Sequence, residues 1–416
     1  MMGSTSDAKA ISEAVKEAVP PKGVQARIRG PLVVAAILLA ALNLRPAITS
    51  LGSVLEETRD GLGMSGAVAG LLTSVPVLCF AVFGIAAPRL ARRFGPAAVV
   101  CAGMAVIALG LALRPFAGGT PVFLAASVFA LAGIAVTNVL MPVIVKRYFP
   151  DRVGQMTGIY SMALTTGAAL GSAATVPVAH AAGGSWRVGL GVWAVVAVAA
   201  VLPWLALARD RVRGEATGAA PAPGVRITRS RTAWALTVFF GLQATSAYVV
   251  MGWLPQIFRD AGVAPGTAGL LSAVAAGMGV PLSFVLPALA GRMRHQGPLA
   301  VALGLFGLAG YGGLWLAPAA APLLWAVLLG ITNATFPLAL TMIGMRSRTG
   351  SGVVRLSAFT QCAGYLIAFP GPILFGALYQ HSGGWGLPIG LMAAILLPQT
   401  VAGVLAGRSR FVEDEL

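Results

Sequence analysis

The hexapeptide TNVLMP at residues 137–142 returns at residues 332–337 as TNATFP, so both carry the pattern Thr-Asn-x-x-x-Pro. Other short matches flank this pair in the same order. They are AGLLTS at 69–74 with AGLLSA at 268–273, and GGSW at 183–186 with GGW at 383–385. The offsets between these matches stay between 195 and 200 residues, close to half of the 416-residue chain. The sequence therefore predicts two related halves.

The composition excludes a soluble globular protein. The chain is 57% hydrophobic and only 10% charged, and its mean hydropathy is +0.84, whereas soluble domains carry about 25% charged residues. The three cysteines lie in apolar runs, and no His/Cys spacing is typical of a metal site. The glycines of GLGMSGAVAG at 61–70 precede an apolar run rather than the helix of a nucleotide-binding unit. We therefore expect no metal, no cofactor and no nucleic-acid partner.

Twelve apolar runs are long enough to cross a bilayer, since a helix needs about 20 residues to span the hydrocarbon. They cover about 32–55, 65–88, 95–114, 120–145, 154–178, 186–208, 232–257, 265–290, 297–317, 321–345, 352–378 and 384–407. A polar segment at 209–231, which contains the sequence APAPG, separates the sixth run from the seventh. The predicted units are a tail at 1–31, a six-helix bundle at 32–208, a linker at 209–231, a second bundle at 232–407 and a tail at 408–416. The first tail includes SDAKAISEAVKEAV at 6–19, which is either a short surface helix or a disordered segment.

Positive charge explains how these spans are oriented. Of the 29 lysines and arginines, 24 fall on the side that carries both termini and the linker. Cytoplasmic loops of membrane proteins are enriched in Lys and Arg. We therefore expect a multi-pass protein of the plasma (inner) membrane with both termini in the cytoplasm. The net charge of +16 is then a consequence of topology and of attraction to membrane lipid rather than of nucleic-acid binding.

The repeat fixes how the two halves relate. Because each half has an even number of spans, both halves enter the membrane in the same direction. Parallel repeats of this kind are typical of the major facilitator fold, in which the substrate site lies between the halves near the middle of the membrane. The fold class predicted here is thus an all-α integral membrane protein with twelve transmembrane helices in two pseudo-symmetric bundles.

Longer segments carry a more specific resemblance. They are NLRPAITS at 43–50, GLLTSVPVLCFAVFGIAAPRLARRFG at 70–95, TNVLMPVIVKRYFPDRVGQMTGIYSMAL at 137–164, FFGLQATSAYVVMGWLP at 239–255 and AFTQCAGYLIAFPGPILFGAL at 358–378. Together they resemble the cyanate/2-nitroimidazole transporter family of the major facilitator superfamily. The resemblance implies transport of a small molecule but does not identify it. The loop PRLARRFGP at 88–96 departs from the superfamily's signature because it lacks the acidic residue.

Arg45 is the one charge at the centre of the first span, where it is costly and functional by default. All 13 acidic residues lie in loops, tails or helix ends, so no internal carboxylate pairs with it. Its side chain either reaches the outer surface, about 15 Å of helix away, or pairs within the protein, or lines a polar cavity. Pro46 leaves the Leu42 carbonyl without its helical partner, which favours the cavity. A guanidinium there would bind carboxylate-like or nitro-like oxygens.

Polar side chains in other apolar runs complete the candidate substrate site. Asn138 and Asn333 occupy equivalent repeat positions and either line the cavity or join helices. The polar stripe of Ser357, Gln361 and Tyr365 shares one helical face. The full set of candidates is Asn43, Arg45, Thr49, Asn138, Tyr160, Gln243, Tyr248, Asn333, Ser357, Gln361 and Tyr365. Trp253, near the outer end of its span, is interpreted as an interfacial anchor.

The leading hypothesis is a secondary or facilitative transporter of a small polar solute, anionic or nitro-bearing, that acts as a monomer. An exporter of hydrophobic drugs in the same fold is the alternative. An enzyme is disfavoured because no span offers an acid, base, nucleophile or metal with a partner. Because no Asp or Glu lies at mid-depth, we expect no obligatory proton carrier inside the bundles. The competing interpretation is that Glu56, Glu57 or Asp60 folds inward toward Arg45.

Overall fold

The computed structural model describes residues 24–149, 152–208, 227–348 and 350–415. The segment 6–19 and most of the predicted linker lie outside these residues. The described chain contains twelve helical spans that are long and apolar enough to cross a membrane, which confirms the predicted all-α fold class. Spans are numbered one to twelve in chain order. The side that carries the segment between spans six and seven is called the linker side, and the opposite side is called the far side.

The helices before the linker cover Val24–Asn43 and Pro46–Ser53 (span one), Leu55–Leu62, Gly66–Phe94 (span two), Pro96–Leu113 (span three), Thr120–Tyr148 (span four), Val153–Ala181 (span five) and Trp186–Ala208 (span six). The helices after it cover Arg231–Asp260 (span seven), Pro265–Gly277 and Gly279–Arg292 (span eight), Gly297–Leu316 (span nine), Pro322–Asn333 and Thr335–Met345 (span ten), Gly350–Ala368 and Pro370–Ser382 (span eleven), and Gly386–Ala406 (span twelve). Short 3-10 turns cover Arg114–Phe116, Ile227–Arg229 and Val412–Glu415. The basic residues expected in the loop at 88–96 therefore lie mostly on the last turns of span two.

Four spans are broken, and each break lies within one turn before a proline. The first helix of span one ends at Asn43, shortly before Pro46, and the first helix of span ten ends at Asn333, four residues before Pro337. A proline ring clashes with the carbonyl four residues earlier and supplies no N–H to it. Proline alone is not sufficient, because Pro142 lies inside the unbroken span four at the matching repeat position. The two copies of Thr-Asn-x-x-x-Pro thus take different backbone forms.

The spans pack as two groups that meet along a central seam. Span three packs on spans four and six, and span seven packs on spans eleven and twelve. Across the seam, span two meets span eleven, span five meets span eight, and span one meets span seven. The candidate substrate residues are distributed along spans one, five, seven and eleven of the seam, with Asn138 on span four and Asn333 on span ten.

On the linker side, the end of the chain is attached to the second half. The Glu415 carboxylate accepts hydrogen bonds from the Ser230 hydroxyl at 2.6 Å, the Thr232 N–H at 2.9 Å and the Thr232 hydroxyl at 2.8 Å. It therefore caps the N-terminus of span seven, where a negative charge is favoured. The buried Arg346 guanidinium donates to the Ala406 and Gly407 carbonyls at 2.8 and 2.9 Å. These bonds join the ends of spans seven, ten and twelve.

Candidate functional site at the seam between the halves

The break in span one shapes the centre of the seam. Pro46 has no N–H to give to the Leu42 carbonyl, and that carbonyl instead faces Gly167 of span five. A Cβ at Gly167 would lie 2.3 Å from the Leu42 oxygen, so only glycine allows this approach. The Thr49 hydroxyl likewise lies against Gly171, and Thr49 is 1% exposed. Thr49 therefore contributes to the contact between spans one and five.

The Arg45 side chain points across the seam. Its Nη1 contacts the Met251 sulfur of span seven at 3.8 Å, and a thioether is only a weak acceptor. Arg45 is half-buried, whereas the residues that follow it up to Leu55 are buried. Of the described residues, no Asp or Glu forms an ion pair with it. Most of the five guanidinium donors are thus available at mid-membrane depth.

Three tyrosines lie near enough to this cation to be affected by its charge. The Arg45 charge acts on the phenol groups of Tyr160, Tyr248 and Tyr365, and Tyr248 is the one close enough for a hydrogen bond. The Tyr365 ring stacks on Phe80 with ring centroids 5.1 Å apart. These side chains come from spans two, five, seven and eleven. Both halves therefore contribute to one aromatic wall around a single positive charge.

Amide and hydroxyl groups lie beside the aromatic wall. The Tyr160 hydroxyl donates to the Asn138 amide oxygen of span four. On span eleven the Gln361 amide donates to the Ser357 hydroxyl at 2.7 Å, one turn before Tyr365. Asn138, Ser357 and Gln361 are half-buried. They extend the polar surface from Arg45 toward the linker side.

Three other candidates lie apart from this group. Asn43 is 1% exposed and donates to the Leu39 and Val196 carbonyls, so it joins span one to span six. Gln243 is 2% exposed, and its amide oxygen has no partner. It shares a helical face with Phe239, which packs on span twelve. Asn333 is half-buried at the end of the first helix of span ten.

Small residues close the far side of the seam, a contact that was not predicted from the sequence. A Cβ at Gly70 would lie 2.5 Å from the Pro372 carbonyl oxygen, and one at Gly376 would lie 2.3 Å from the Gly66 carbonyl oxygen. Spans two and eleven therefore touch through their backbones. Gly66 and Gly70 form a G-x-x-x-G pattern, which is a known signal for close packing of membrane helices. This G-x-x-x-G pattern is the sequence signal from which the contact between spans two and eleven could have been predicted.

Charged and aromatic groups reinforce the same closure. Arg259 at the end of span seven binds Glu56 at 2.9 Å and Glu57 at 2.8 Å, so the acidic residues pair with the second half and not with Arg45. The interpretation of Trp253 as an interfacial anchor is wrong, because its side chain is 1% exposed. Its indole N–H donates to the Thr73 hydroxyl at 3.3 Å across the seam.

A second arginine is buried inside the first half. Arg114, at the end of the third predicted apolar run, is 1% exposed. Its Nη1 donates to the Ala47 carbonyl at 2.7 Å and its Nε to the Ser127 hydroxyl at 2.9 Å. The guanidinium also lies over the Phe123 ring, 5.6 Å from its centroid. Sequence position at the end of an apolar run gave no sign of this pocket, which only the packing of spans one, three and four creates.

Comparison with known proteins agrees with this architecture. Residues 33–368 match the model of the Major Facilitator Superfamily. The chain is 34% identical to the "Uncharacterized transporter YycB" of Bacillus subtilis over 93% of this chain and 96% of that protein. It is 32% identical to the "2-nitroimidazole transporter" of Escherichia coli, over 91% and 96% of the two chains, and 31% identical to the "Cyanate transport protein CynX" of the same organism, over 84% and 90%.

Among solved structures, the fold is similar to a bacterial homolog of the human lysosomal transporter Spinster in an inward-facing and occupied conformation. The TM-score is 0.74, and the match covers 91% of this chain and 96% of that one. Sequence identity is 18%, so this likeness concerns the fold alone.

Proposed function

The chain belongs to the major facilitator superfamily, among relatives of the cyanate and 2-nitroimidazole transporters, and on that premise we propose that it moves a small planar solute, anionic or nitro-bearing, by alternating access. It is a multi-pass membrane transport protein rather than an enzyme. The observation that carries the proposal is the half-buried Arg45, which has spare donors and a wall of three tyrosines at the seam.

The chemistry of this group fits a planar anion. A guanidinium presents a flat fork of N–H donors, which matches the paired oxygens of a carboxylate or a nitro group. Tyrosine rings bind flat apolar faces and keep a hydroxyl for hydrogen bonding. Of the solutes named for two relatives, 2-nitroimidazole is a planar nitro-bearing ring and cyanate is a small linear anion, which supports the same class here. A hydrophobic drug would leave the Arg45 charge without a partner.

Uptake into vesicles tests the proposal. Purified protein is reconstituted, and accumulation of labelled cyanate, 2-nitroimidazole and benzoate is compared with that of a cationic hydrophobic dye. We expect saturable uptake of at least one planar solute and none of the dye. Transport of the dye alone would assign the chain to the alternative class of multidrug exporters.

Energy coupling is proposed to need no proton carrier inside the bundles, so transport is uniport, exchange, or symport in which the proton travels on the substrate. The described residues around Arg45 include no Asp, Glu or His among their partners, and Glu56 and Glu57 bind Arg259. The test is uptake of a non-titrating substrate under an imposed pH gradient. Proton-driven accumulation that is lost in a Glu56→Gln, Glu57→Gln, Asp60→Asn variant would contradict this proposal.

We also propose that the linker side faces the cytoplasm and that the chain acts as a monomer in the plasma membrane, with the five units bounded as predicted from the sequence. The segregation of positive charge to the linker side supports this orientation. A cysteine introduced at Ala220 should escape an impermeant thiol reagent in intact cells and react after permeabilisation. Ready labelling of intact cells would reverse the orientation.

A further inference from the structure

A groove of about 640 Å³ lies on the outer surface of the second half, between spans nine and twelve at the linker side. It is separate from the seam. Its walls are the apolar side chains of Pro298, Val301, Ala302, Leu305 and Val404, and its linker-side end is formed by His295 and Arg408. We propose that this groove binds a phospholipid with an anionic headgroup.

The apolar part of the groove matches an acyl chain. Val301 and Leu305 are 39% and 61% exposed, although each is large and apolar. From Gly297 to Leu305 the groove follows span nine for roughly 12 Å, counted at 1.5 Å of rise per residue. It therefore runs from the headgroup level into the hydrocarbon region. Lipid chains are the apolar material present on that surface of a membrane protein.

The charged end of the groove selects the headgroup. Arg408 follows the last turn of span twelve, and His295 precedes the first turn of span nine, so both lie where lipid phosphates lie. Both side chains are exposed, and no acidic residue lines the groove. An arginine whose stem lies along apolar surface keeps its head in the polar layer and offers paired donors to a phosphate. Basic pockets between membrane helices are suited to anionic headgroups.

The floor of the groove is held in place, so the site exists before a lipid arrives. The Gln296 N–H donates to the Gly407 carbonyl at 3.1 Å. A Cβ at Gly407 would lie 2.5 Å from the Gly297 nitrogen, so the two backbones are in direct contact. The Arg346 guanidinium binds both the Gly407 carbonyl and the Gln296 amide oxygen. Arg408 and His295 are thus positioned by a buried network next to them.

Native mass spectrometry tests the proposal. Protein is released from vesicles of phosphatidylcholine mixed with phosphatidylglycerol, and the retained lipids are counted. We expect wild type to retain phosphatidylglycerol in preference to phosphatidylcholine. Arg408→Gln should lower that preference about fivefold, the factor that corresponds to ~1 kcal/mol per basic residue at the surface. Arg408→Gln with His295→Gln should remove it.

Two further variants separate the groove from general surface charge. Arg294→Gln removes an exposed basic residue next to His295 that does not line the groove, and it should keep the preference. Val301→Trp should fill the groove and release the lipid at an unchanged melting temperature in detergent. Equal loss of preference in Arg294→Gln and Arg408→Gln, or full retention in Val301→Trp, would overturn the proposal.

The same mass spectra test two other occupants of the groove, a free anion and a second copy of the chain. Inorganic phosphate added before release should not displace phosphatidylglycerol, and displacement would assign the site to a free anion. A dimer in wild type that is lost in Val301→Trp would assign the groove to a second copy of the chain. Either result would contradict a lipid site.

Discussion

Two arginines lie at the same short helix, Pro46–Ser53, and differ in how well the protein supplies hydrogen-bond partners to their guanidinium groups. Arg114 is buried, and its donors meet the Ala47 carbonyl, the Ser127 hydroxyl and the face of a phenylalanine ring. Arg45 stands at the N-terminus of that helix, and its guanidinium meets two neutral groups, the Met251 sulfur and the Tyr248 hydroxyl. Both charges lie in apolar surroundings. A charge satisfied by its own fold stabilises structure, whereas a charge with spare donors is ready to bind a ligand.

The largest expected effect is loss of transport on removal of the spare charge. Arg45→Ala should raise the half-saturating concentration of a transported planar solute about hundredfold or more, because two charge-assisted hydrogen bonds contribute about 1.5–3 kcal/mol each. Arg45→Lys should recover little of this loss, since it lacks the planar fork. The measurement is uptake into vesicles at matched protein content.

Protein stability is the control for Arg45. The thermal unfolding temperature of Arg45→Ala in detergent should equal or exceed that of wild type, because the charge has no strong internal partner to lose. Uptake equal to wild type at matched expression would break the distinction between the two arginines. A large drop in unfolding temperature would also break it.

Arg114 should show the reverse pattern. Arg114→Leu removes the donors to Ala47 and Ser127 and leaves buried acceptors unsatisfied, at about 1–3 kcal/mol. We expect a lower unfolding temperature together with uptake per folded molecule within about twofold of wild type. Ser127→Ala, which removes one partner and keeps the cation, is the matched variant and should destabilise less. Abolished uptake in a fully stable Arg114→Leu would contradict the structural role.

The sequence predicted the spans well because each depends on one strong signal, a long apolar run. It predicted the break at Pro46 from local chemistry. The breaks in spans eight, ten and eleven come before prolines that look no different from Pro142 in an unbroken helix. Whether a helix breaks depends on which neighbour meets the freed carbonyl. Local sequence does not carry that information.

The candidate site was harder to predict than the spans. Arg45 could be predicted because it is a charge within an apolar run. Gln361 and Tyr365 could be predicted because they are polar and share one helical face. Gln243 and Tyr248 are only five residues apart, yet they point to different neighbours, since each residue turns the helix by about 100°. The orientation of each span about its axis comes from tertiary packing. The burial of Arg114 depends on tertiary packing in the same way.

Arg259 is intermediate between Arg45 and Arg114. Its guanidinium has carboxylate partners, but they belong to the other half and are in reach only while the far side is closed. Arg259 binds Glu56 and Glu57 of the other half, and its side chain is 14% exposed. Partly exposed pairs contribute about 1 kcal/mol or less. Arg259→Gln should therefore shift the balance toward far-side opening by about fivefold, a modest change in population.

Thiol labelling measures that shift. Thr73→Cys, introduced where Cys79, Cys101 and Cys362 are replaced, places a thiol at a buried seam position. An impermeant reagent from the far side should react faster in the Arg259→Gln background. Arg187→Gln is the control, since the Arg187 guanidinium also lies on the far side but donates to the Pro115 and Ala117 carbonyls of its own half. Equal labelling rates in all three backgrounds would show that these ion pairs do not hold the far side closed.

The smallest expected effect concerns the Glu415 carboxylate, whose negative charge accepts hydrogen bonds from the start of span seven. Burial acts to raise the pKa of Glu415, but hydrogen bonds from Ser230 and Thr232, with the nearby Arg410 charge, outweigh it and hold the pKa below its ordinary value. A depressed carboxyl pKa stabilises the folded state above the unfolded pKa, and that stability is lost as the pH falls through the folded pKa. Glu415→Gln should therefore lower the unfolding temperature slightly at neutral pH, in line with a cap that contributes about 0.5 kcal/mol. The difference from wild type should shrink as the pH falls below the ordinary glutamate pKa and vanish below the lowered pKa of the folded state, while uptake at neutral pH stays unchanged. A difference that is the same at both pH values would show that the carboxylate charge contributes nothing to the cap.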